Sequence, residues 1–191
     1  MKAVLLSIQP VWCSKIVLKE KTVEVRKTRP KLETPFKVYI YCTGSDDWYM
    51  KFPKSGMKKM SGKVIGEFTC DSVERLTHID KPSRLSIVTS DLYYKPADEL
   101  LQVACLTEAQ AEKYLKGGDG YGWHISSLKI YDNPKSILDF HRAVDKTKLW
   151  CEKCAIGGKN GTACAFCYGL DGLRIRRPPQ SWCYVEELSN E

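Results

Sequence analysis

Long apolar runs are missing from this chain of 191 residues. No window approaches the roughly 20 consecutive apolar residues that a membrane-spanning helix needs. The opening, MKAVLLSIQPVWCSKIVLKEK, has only a short apolar run, which is soon followed by Trp12 and Lys15 and lacks the cleavage site of a signal peptide. Repeats and low-complexity tracts are also absent from the sequence. These absences predict a cytoplasmic protein that is neither exported nor inserted into a membrane.

Acidic residues are fewer than basic ones, and the imbalance is concentrated in the first third of the chain. Lys and Arg total 30 and Asp and Glu total 23, which gives a formal net charge of +7. Residues 1–66 hold 14 basic and 5 acidic residues, a local net charge of +9. This excess suggests an anionic ligand near that part of the chain, such as nucleic acid or a nucleotide. A basic net charge is also common in proteins with no such partner, so it does not establish one.

The hydrophobic pattern predicts an α+β fold built mainly from strands. A helix is expected at 9–19, and two more are expected within 90–117, the second capped by Thr107 and closed by Gly117 and Gly118. Residues 136–143 suggest a short helix, and 44–62 suggest an irregular excursion. Irregularly spaced strands with inserted helices favour a small mixed β-barrel over a βαβ sheet. The expected strands are 2–8, 22–27, 36–43, 63–76, 121–132 and 181–188.

Nine cysteines are present, and they divide into two groups. Five are dispersed through apolar runs, which predicts that they are buried as small hydrophobic residues. An odd number without a secretion signal argues against a disulfide framework. The other four cysteines are clustered within the segment CEKCAIGGKNGTACAFC.

The clustered cysteines have the spacing C-x2-C, nine residues, C-x2-C. Two such pairs can direct four thiolates at one tetrahedral ion. Four protein ligands leave no open coordination position, so the spacing predicts a structural rather than a catalytic zinc ion. Iron or an iron–sulfur cluster, free thiols and two local disulfides are the alternatives. The predicted zinc ligands are Cys151, Cys154, Cys164 and Cys167.

The segment KEKTVEVRK, residues 19–27, joins the first predicted helix to a strand with alternating residues. Val23 and Val25 are expected on one face of this strand, with Glu24 and Arg26 on the other. The strand should therefore be half-buried. Taken alone, the two charged residues are also consistent with a solvated surface ion pair, which contributes about 0–1 kcal/mol.

This segment resembles the signature of the ASCH family, Gly-x-Lys-x-x-Glu-x-Arg, at the end of the first helix and the start of the next strand. Lys21, Glu24 and Arg26 match the signature, and Lys19 replaces its glycine. The resemblance also covers LSIQP, YGWHISSLKIYD and PPQSWCYVEEL, and so spans most of the chain. It implies a PUA-like β-barrel formed by residues 1–147 and 171–191, with a helical insertion near 90–117. The predicted zinc-binding loop, 148–170, is inserted before the last strand.

ASCH and related PUA-like domains are similar in having a cleft beside this motif, which is thought to bind RNA or modified nucleosides. On this resemblance, Lys21 supplies a point charge for a phosphate or carbonyl group. Arg26 supplies a planar fork for two parallel hydrogen bonds. Glu24 orients Arg26 or accepts a hydrogen bond from a base amino group.

Four other residues are candidates for the same cleft. Ser7 and Gln9 precede the first helix and can line it. Trp123 and His124 offer stacking and hydrogen bonding to a base. Because Trp123 and His124 are consecutive in a strand, they should face opposite sides, and at most one is expected to enter a given cleft.

Three functional classes are consistent with these residues, and binding of RNA or a modified nucleotide is the prediction. Some small ASCH proteins look like N4-acetylcytidine amidohydrolases, and another resembles a ribonuclease. The amidohydrolase type has a nucleophilic threonine three residues after the motif lysine, where this chain has Glu24. As a hydrolase, this chain would need Glu24 to activate a water while Lys21 and Arg26 stabilise the oxyanion. The third class is an adaptor that contacts protein through the zinc segment.

Overall fold

A computed structural model describes residues 1–44, 47–53, 55–79, 84–89, 93–143 and 173–188. The four predicted zinc ligands lie outside these residues. The chain divides into two compact units. The first unit contains Met1–Pro10, Tyr39–Gly66 and Tyr131–Glu191, and the second contains Val11–Val38 and Glu67–Ile130. Within the described ranges, no helix is long and apolar enough to cross a membrane.

The described ranges contain twelve strands and three α-helices. The helices are α1 (Pro10–Val17), α2 (Asp98–Val103) and α3 (Glu108–Leu115), with a 3-10 turn at Ile137–Asp139. The strands are β1 (Lys2–Ile8), β2 (Val23–Arg26), β3 (Phe36–Cys42), β4 (Tyr49–Phe52), β5 (Gly56–Lys59), β6 (Lys63–Cys70), β7 (Val73–Ile79), β8 (Arg84–Val88), β9 (Tyr94–Pro96), β10 (Gly120–His124), β11 (Ser126–Lys135) and β12 (Trp182–Glu186).

The strands form two five-stranded sheets and one hairpin. The sheet orders are β11-β6-β3-β1-β12 and β2-β10-β7-β8-β9, and β4 pairs with β5. The mainly β character expected from the sequence is thus confirmed. In the described part of the chain the strands are seen as separate sheets and not as a closed barrel.

In the first unit, β1 and β12 pair antiparallel, with Ala3 opposite Val185. A core of aliphatic and aromatic side chains surrounds this pair. Within it the rings of Tyr39 and Phe140 meet edge to face at 4.9 Å, and the Tyr39 hydroxyl accepts a hydrogen bond from the Leu188 amide at 2.9 Å. The first and last strands of the chain therefore meet within this core, together with residues of β3, β6 and β11.

The second unit packs α2 and α3 on one face of its sheet. Val23 and Val25 of β2 belong to the same buried cluster as Leu100 of α2 and Leu115 of α3. The helices approach so closely that a Cβ atom on Gly122 would lie 2.8 Å from the Leu100 Cδ1 atom. Glycine at this position therefore allows the contact between α2 and β10.

Some strands differ from the sequence-based expectation. The predicted strand 63–76 is two strands, β6 and β7, which belong to different sheets. The break follows Cys70, whose thiol donates to the Ser72 carbonyl oxygen at 3.3 Å. The region 44–62, expected to be irregular, contains the β4–β5 hairpin. Its lysines on both strands hide the alternation that normally reveals a strand.

The helices begin largely where the sequence predicts. Helix α1 starts at Pro10, and it ends at Val17, two residues before the expected end. Helix α3 has the predicted N-cap, because the Thr107 hydroxyl accepts from the Gln110 amide at 3.2 Å and the Gln110 side chain accepts from the Thr107 amide at 3.0 Å. The expected helix near 136–143 is only the 3-10 turn.

Three of the five dispersed cysteines are buried as expected, and the other two are not. Cys13, Cys42 and Cys70 are buried, whereas Cys105 and Cys183 are partly exposed. Burial raises the pKa of the Cys70 thiol to about 12. This thiol is therefore protonated at neutral pH and behaves as a small apolar group.

Candidate functional site

Strand β2 places the two charged motif residues side by side on one face. In the antiparallel pairing of β2 with β10, Glu24 lies opposite Trp123 and Arg26 lies opposite Tyr121. All four residues of β2 are buried, so the predicted half-buried strand is buried on both faces. The charged side chains of this strand are therefore largely buried and do not form a solvated surface pair.

Glu24 is held between two cations. Its Oε1 atom lies 2.8 Å from an Arg26 guanidinium nitrogen, and its Oε2 atom lies 3.3 Å from the Lys21 Nζ atom. The side chains of Lys21, Glu24 and Arg26 are only 2%, 7% and 10% exposed, respectively. Because little water reaches these groups, their charges interact more strongly than in an exposed pair. We call these three residues the ion triad.

Lys21 is surrounded by protein groups. Its Nζ atom donates to the Ala104 carbonyl oxygen at 2.7 Å and lies 5.3 Å from the centroid of the Trp12 ring. Ala104 is the C-cap of α2, where carbonyl groups carry a partial negative charge that favours a cation. The amide of Thr22 also donates to the Val103 carbonyl oxygen at 2.9 Å. Lys21 is therefore placed to orient Glu24 and to cap α2.

The position of the signature glycine has an unusual backbone. Lys19 has a φ of 61°, in the left-handed region that glycine adopts without strain. Its amide donates to the Ile16 carbonyl oxygen at 2.9 Å, which closes the end of α1. The tight turn at the end of α1 is thus present, although a lysine and not a glycine occupies it.

Trp123 and His124 lie on opposite faces of the sheet. Trp123 shares the face of Glu24, but it is fully buried and packs edge to face against Phe36 at 5.8 Å between ring centroids. His124 lies on the other face, with its Nε2 atom 2.8 Å from the Glu74 Oε2 atom. Of these two residues, only Trp123 is therefore on the same face of the sheet as the ion triad.

Glu74 is the centre of the polar cluster that contains His124. Its Oε1 atom lies 3.2 Å from the Lys95 Nζ atom. Burial opposes ionisation of Glu74, but the hydrogen bonds from His124 and Lys95 outweigh it and lower the pKa of this carboxyl group. The cluster is an ion-paired group on the helix-covered side of the sheet.

Ser7 and Gln9 belong to the first unit. The Ser7 hydroxyl donates to the Pro179 carbonyl oxygen at 2.7 Å, and the Ser7 amide donates to the Ser181 carbonyl oxygen at 2.9 Å. Ser7 is buried and Gln9 is exposed. The Ser7 contacts connect β1 to the segment before β12.

The sequence-based predictions did not include two residues beside the triad, Ala104 and Tyr121, and only the second could have been predicted. The carbonyl group of Ala104 lies 83 positions from Lys21, and no local pattern pairs the two residues. Tyr121 shares the face of Arg26, and this was predictable, because it is two residues from Trp123 in the same strand.

Comparison with solved structures finds an ASCH protein from Zymomonas mobilis, ZmASCH. A tyrosine-to-phenylalanine mutant of that protein aligns with a TM-score of 0.53 at 15% identity, covering 98% of this chain and 92% of the other. A serine-to-alanine mutant aligns with a TM-score of 0.52 at 14% identity, covering 97% and 89%. No family model and no curated protein matches the sequence. At this identity the likeness concerns the fold, and we conclude that the chain has the fold of an ASCH domain.

Proposed function

We propose that this chain binds RNA or a modified nucleotide through the face of β2 that carries the ion triad. The Glu24–Arg26 pair is the observation that carries this proposal, because its 2.8 Å contact restrains the Arg26 guanidinium group. A fixed planar fork loses little conformational freedom when it forms two hydrogen bonds to a phosphate or a base edge. The ASCH fold and the net charge of +7 also support an anionic ligand.

The three residues of the triad take different roles in this proposal. Arg26 contacts the ligand, Glu24 orients Arg26, and Lys21 orients Glu24. Hydrolysis would require Glu24 to activate a water molecule, but both of its oxygens already lie beside cations. A general base there would have to give up one of these charge-assisted contacts. The geometry therefore favours binding without turnover.

Binding of a short labelled single-stranded RNA, measured by fluorescence anisotropy over a range of salt concentrations, tests the proposal. Arg26→Lys keeps the charge and removes the fork, and Arg26→Ala removes both. We expect each variant to weaken binding by about 1–3 kcal/mol, the range for a good bidentate contact. Thermal melts of each variant verify that the fold persists, since Arg26 is buried. Arg29→Lys, at an exposed arginine in the next segment, is the matched control and should bind as the wild type does.

Equal, weak binding by the wild type and both Arg26 variants would contradict the proposal. The basic surface would then supply only non-specific attraction, with an affinity that falls steeply as salt rises. Recovery of intact RNA after incubation supports a binding role, whereas shortened RNA, or release of acetate from N4-acetylcytidine in a parallel incubation, would favour the hydrolase alternative.

We also propose that the four clustered cysteines hold a structural zinc ion. Their C-x2-C spacing supports this, because two such pairs complete a tetrahedral set of thiolates. A closed ligand set would give zinc the role of stabilising a polar loop and none in the chemistry of a ligand.

A further inference from the structure

One row of side chains crosses the whole sheet of the second unit on the face that carries the ion triad. The strand registers place Arg26 opposite Tyr121, Tyr121 opposite Arg75, Arg75 opposite Val88, and Val88 opposite Tyr94. Directly opposed residues point to the same side of a sheet. Neighbouring strands are about 4.8 Å apart, so these five residues span roughly 19 Å. We call them the transverse row.

The transverse row is buried at its Arg26 end and exposed at Arg75 and Tyr94, with Val88 partly buried between these two residues. Arg26 is 8% exposed, whereas the Arg75 side chain is 55% exposed and Tyr94 is 57% exposed. Tyr121 lies between these extremes. The opposite face of the same sheet packs against α2 and α3. The row therefore leads from a buried guanidinium to an exposed sheet surface bearing aromatic and cationic groups.

The guanidinium of Arg75 is fixed in orientation although it is exposed. Its Nε and one amino nitrogen lie 3.2 Å and 2.5 Å from the Asp119 Oδ2 atom. The Thr77 hydroxyl donates to the other oxygen of Asp119 at 2.7 Å. The hydrogen bonds from Thr77 and Arg75 lower the pKa of Asp119, so this carboxylate is ionised at neutral pH. A planar cation held in this way offers a stacking face that needs little further ordering.

Basic residues continue from one end of the row. The segment that begins at Arg26, RKTRPK, contains four basic residues and no acidic residue. Lys27, Arg29 and Lys31 in this segment are exposed. A polyanion lying along the row would therefore meet positive charge at the Arg26 end.

We propose that the transverse row binds single-stranded nucleic acid, with bases stacking on Tyr121, Arg75 and Tyr94. The inference rests on the proposed function and extends it from one nucleotide at Arg26 to a strand of several nucleotides. Aromatic side chains on an open sheet face stack unpaired bases, whatever their sequence. A duplex is excluded because its bases are already stacked on one another. An acidic peptide would use the charges and leave the aromatic faces unused.

Tyr94→Ala in the full-length protein tests the row, with labelled decauridine and diuridine RNA as probes at a fixed salt concentration. Loss of one stacked base should weaken decamer binding by about 5- to 150-fold, and Tyr94→Phe should restore it. Diuridine, which is too short to reach from Arg26 to Tyr94, should bind the variant and the wild type alike. Tyr49→Ala is the matched control, because Tyr49 is a similarly exposed strand tyrosine in the first unit, 48% exposed. It should leave both affinities unchanged.

The outcomes separate this inference from the proposed function. Unchanged decamer binding by Tyr94→Ala, together with weakened binding by Arg26→Lys, overturns the row and leaves the Arg26 site standing. The reverse pattern keeps the row and overturns the Arg26 site. No decamer binding by the wild type overturns both. Duplex RNA that binds as tightly as the single strand also overturns the row, because stacking would then contribute nothing.

Discussion

Replacing Glu24 with glutamine probes the ion triad most directly, because it keeps the side-chain size and removes the negative charge. Lys21 and Arg26 would then lose the carboxylate between them while remaining almost wholly buried. At an effective dielectric constant of about 20, unit charges separated by the observed 3.3 Å attract by roughly 5 kcal/mol before desolvation is subtracted. Removing one partner of a buried ion pair typically costs about 3–5 kcal/mol. We expect Glu24→Gln to lower the free energy of unfolding by this amount.

Glu20→Gln is a closely matched control. Glu20 pairs with Lys15 at the same 3.3 Å that separates Glu24 from Lys21, but its side chain is 52% exposed. Exposed pairs contribute about 0–1 kcal/mol, so this variant should be nearly as stable as the wild type. The two substitutions make the same chemical change at the same distance from a lysine, and they differ in burial and in the second contact that Glu24 makes with Arg26.

Urea unfolding, followed by tryptophan fluorescence and by circular dichroism, measures both variants. Trp12 lies beside Lys21, so its fluorescence reports on the triad as well as on global unfolding. A Glu24→Gln variant that loses no more stability than Glu20→Gln would refute the reasoning, because burial would then not strengthen the interaction.

Two further predictions concern the turn before β2 and the cysteine cluster. Lys19→Gly should leave the free energy of unfolding unchanged or raise it by up to about 1.5 kcal/mol. The reason is that relief of left-handed strain (about 1–2 kcal/mol) outweighs the added freedom of glycine in the unfolded chain (about 0.5–1 kcal/mol). Lys15→Gly, inside α1, should instead cost about 1 kcal/mol, and equal losses in the two variants would contradict this account. The purified protein should contain one zinc ion per chain by elemental analysis, and chelation should make residues 148–170 sensitive to protease while the rest resists. A metal-free protein whose clustered thiols all titrate freely would disprove the zinc site.

Much of the strand content was predictable, because it depends on local alternation. The strands β1, β3 and β12 have strong apolar patterns, and they lie close to the expected ranges. The sequence did not predict the weaker strands β8 and β9, because both are short and the residues beside them have little apolar character. The break after Cys70 was missed for a different reason. A continuous apolar pattern does not reveal where the chain leaves one sheet and joins another.

The candidate site was predictable only where it follows strand geometry. Alternation correctly placed Glu24 and Arg26 on one face of β2 and separated Trp123 from His124. Burial of the whole strand was not predictable, because it depends on elements that are distant in the sequence. The role of Lys21 is the clearest case. Its nearest acceptor is a backbone carbonyl group, which carries no side-chain signal in any sequence.

The contact between Lys21 and the C-cap of α2 limits how this domain can be shortened or transplanted. A minimal version that kept only the strands and α1 would omit α2 and α3. Without α2, however, the Lys21 ammonium loses its backbone acceptor, and the Thr22 amide loses the Val103 carbonyl group. The segment 19–27 is therefore not expected to keep this geometry if it is transferred with only α1 and β2. The smallest graft that retains the orientation of Glu24 has to include α2 through its C-cap.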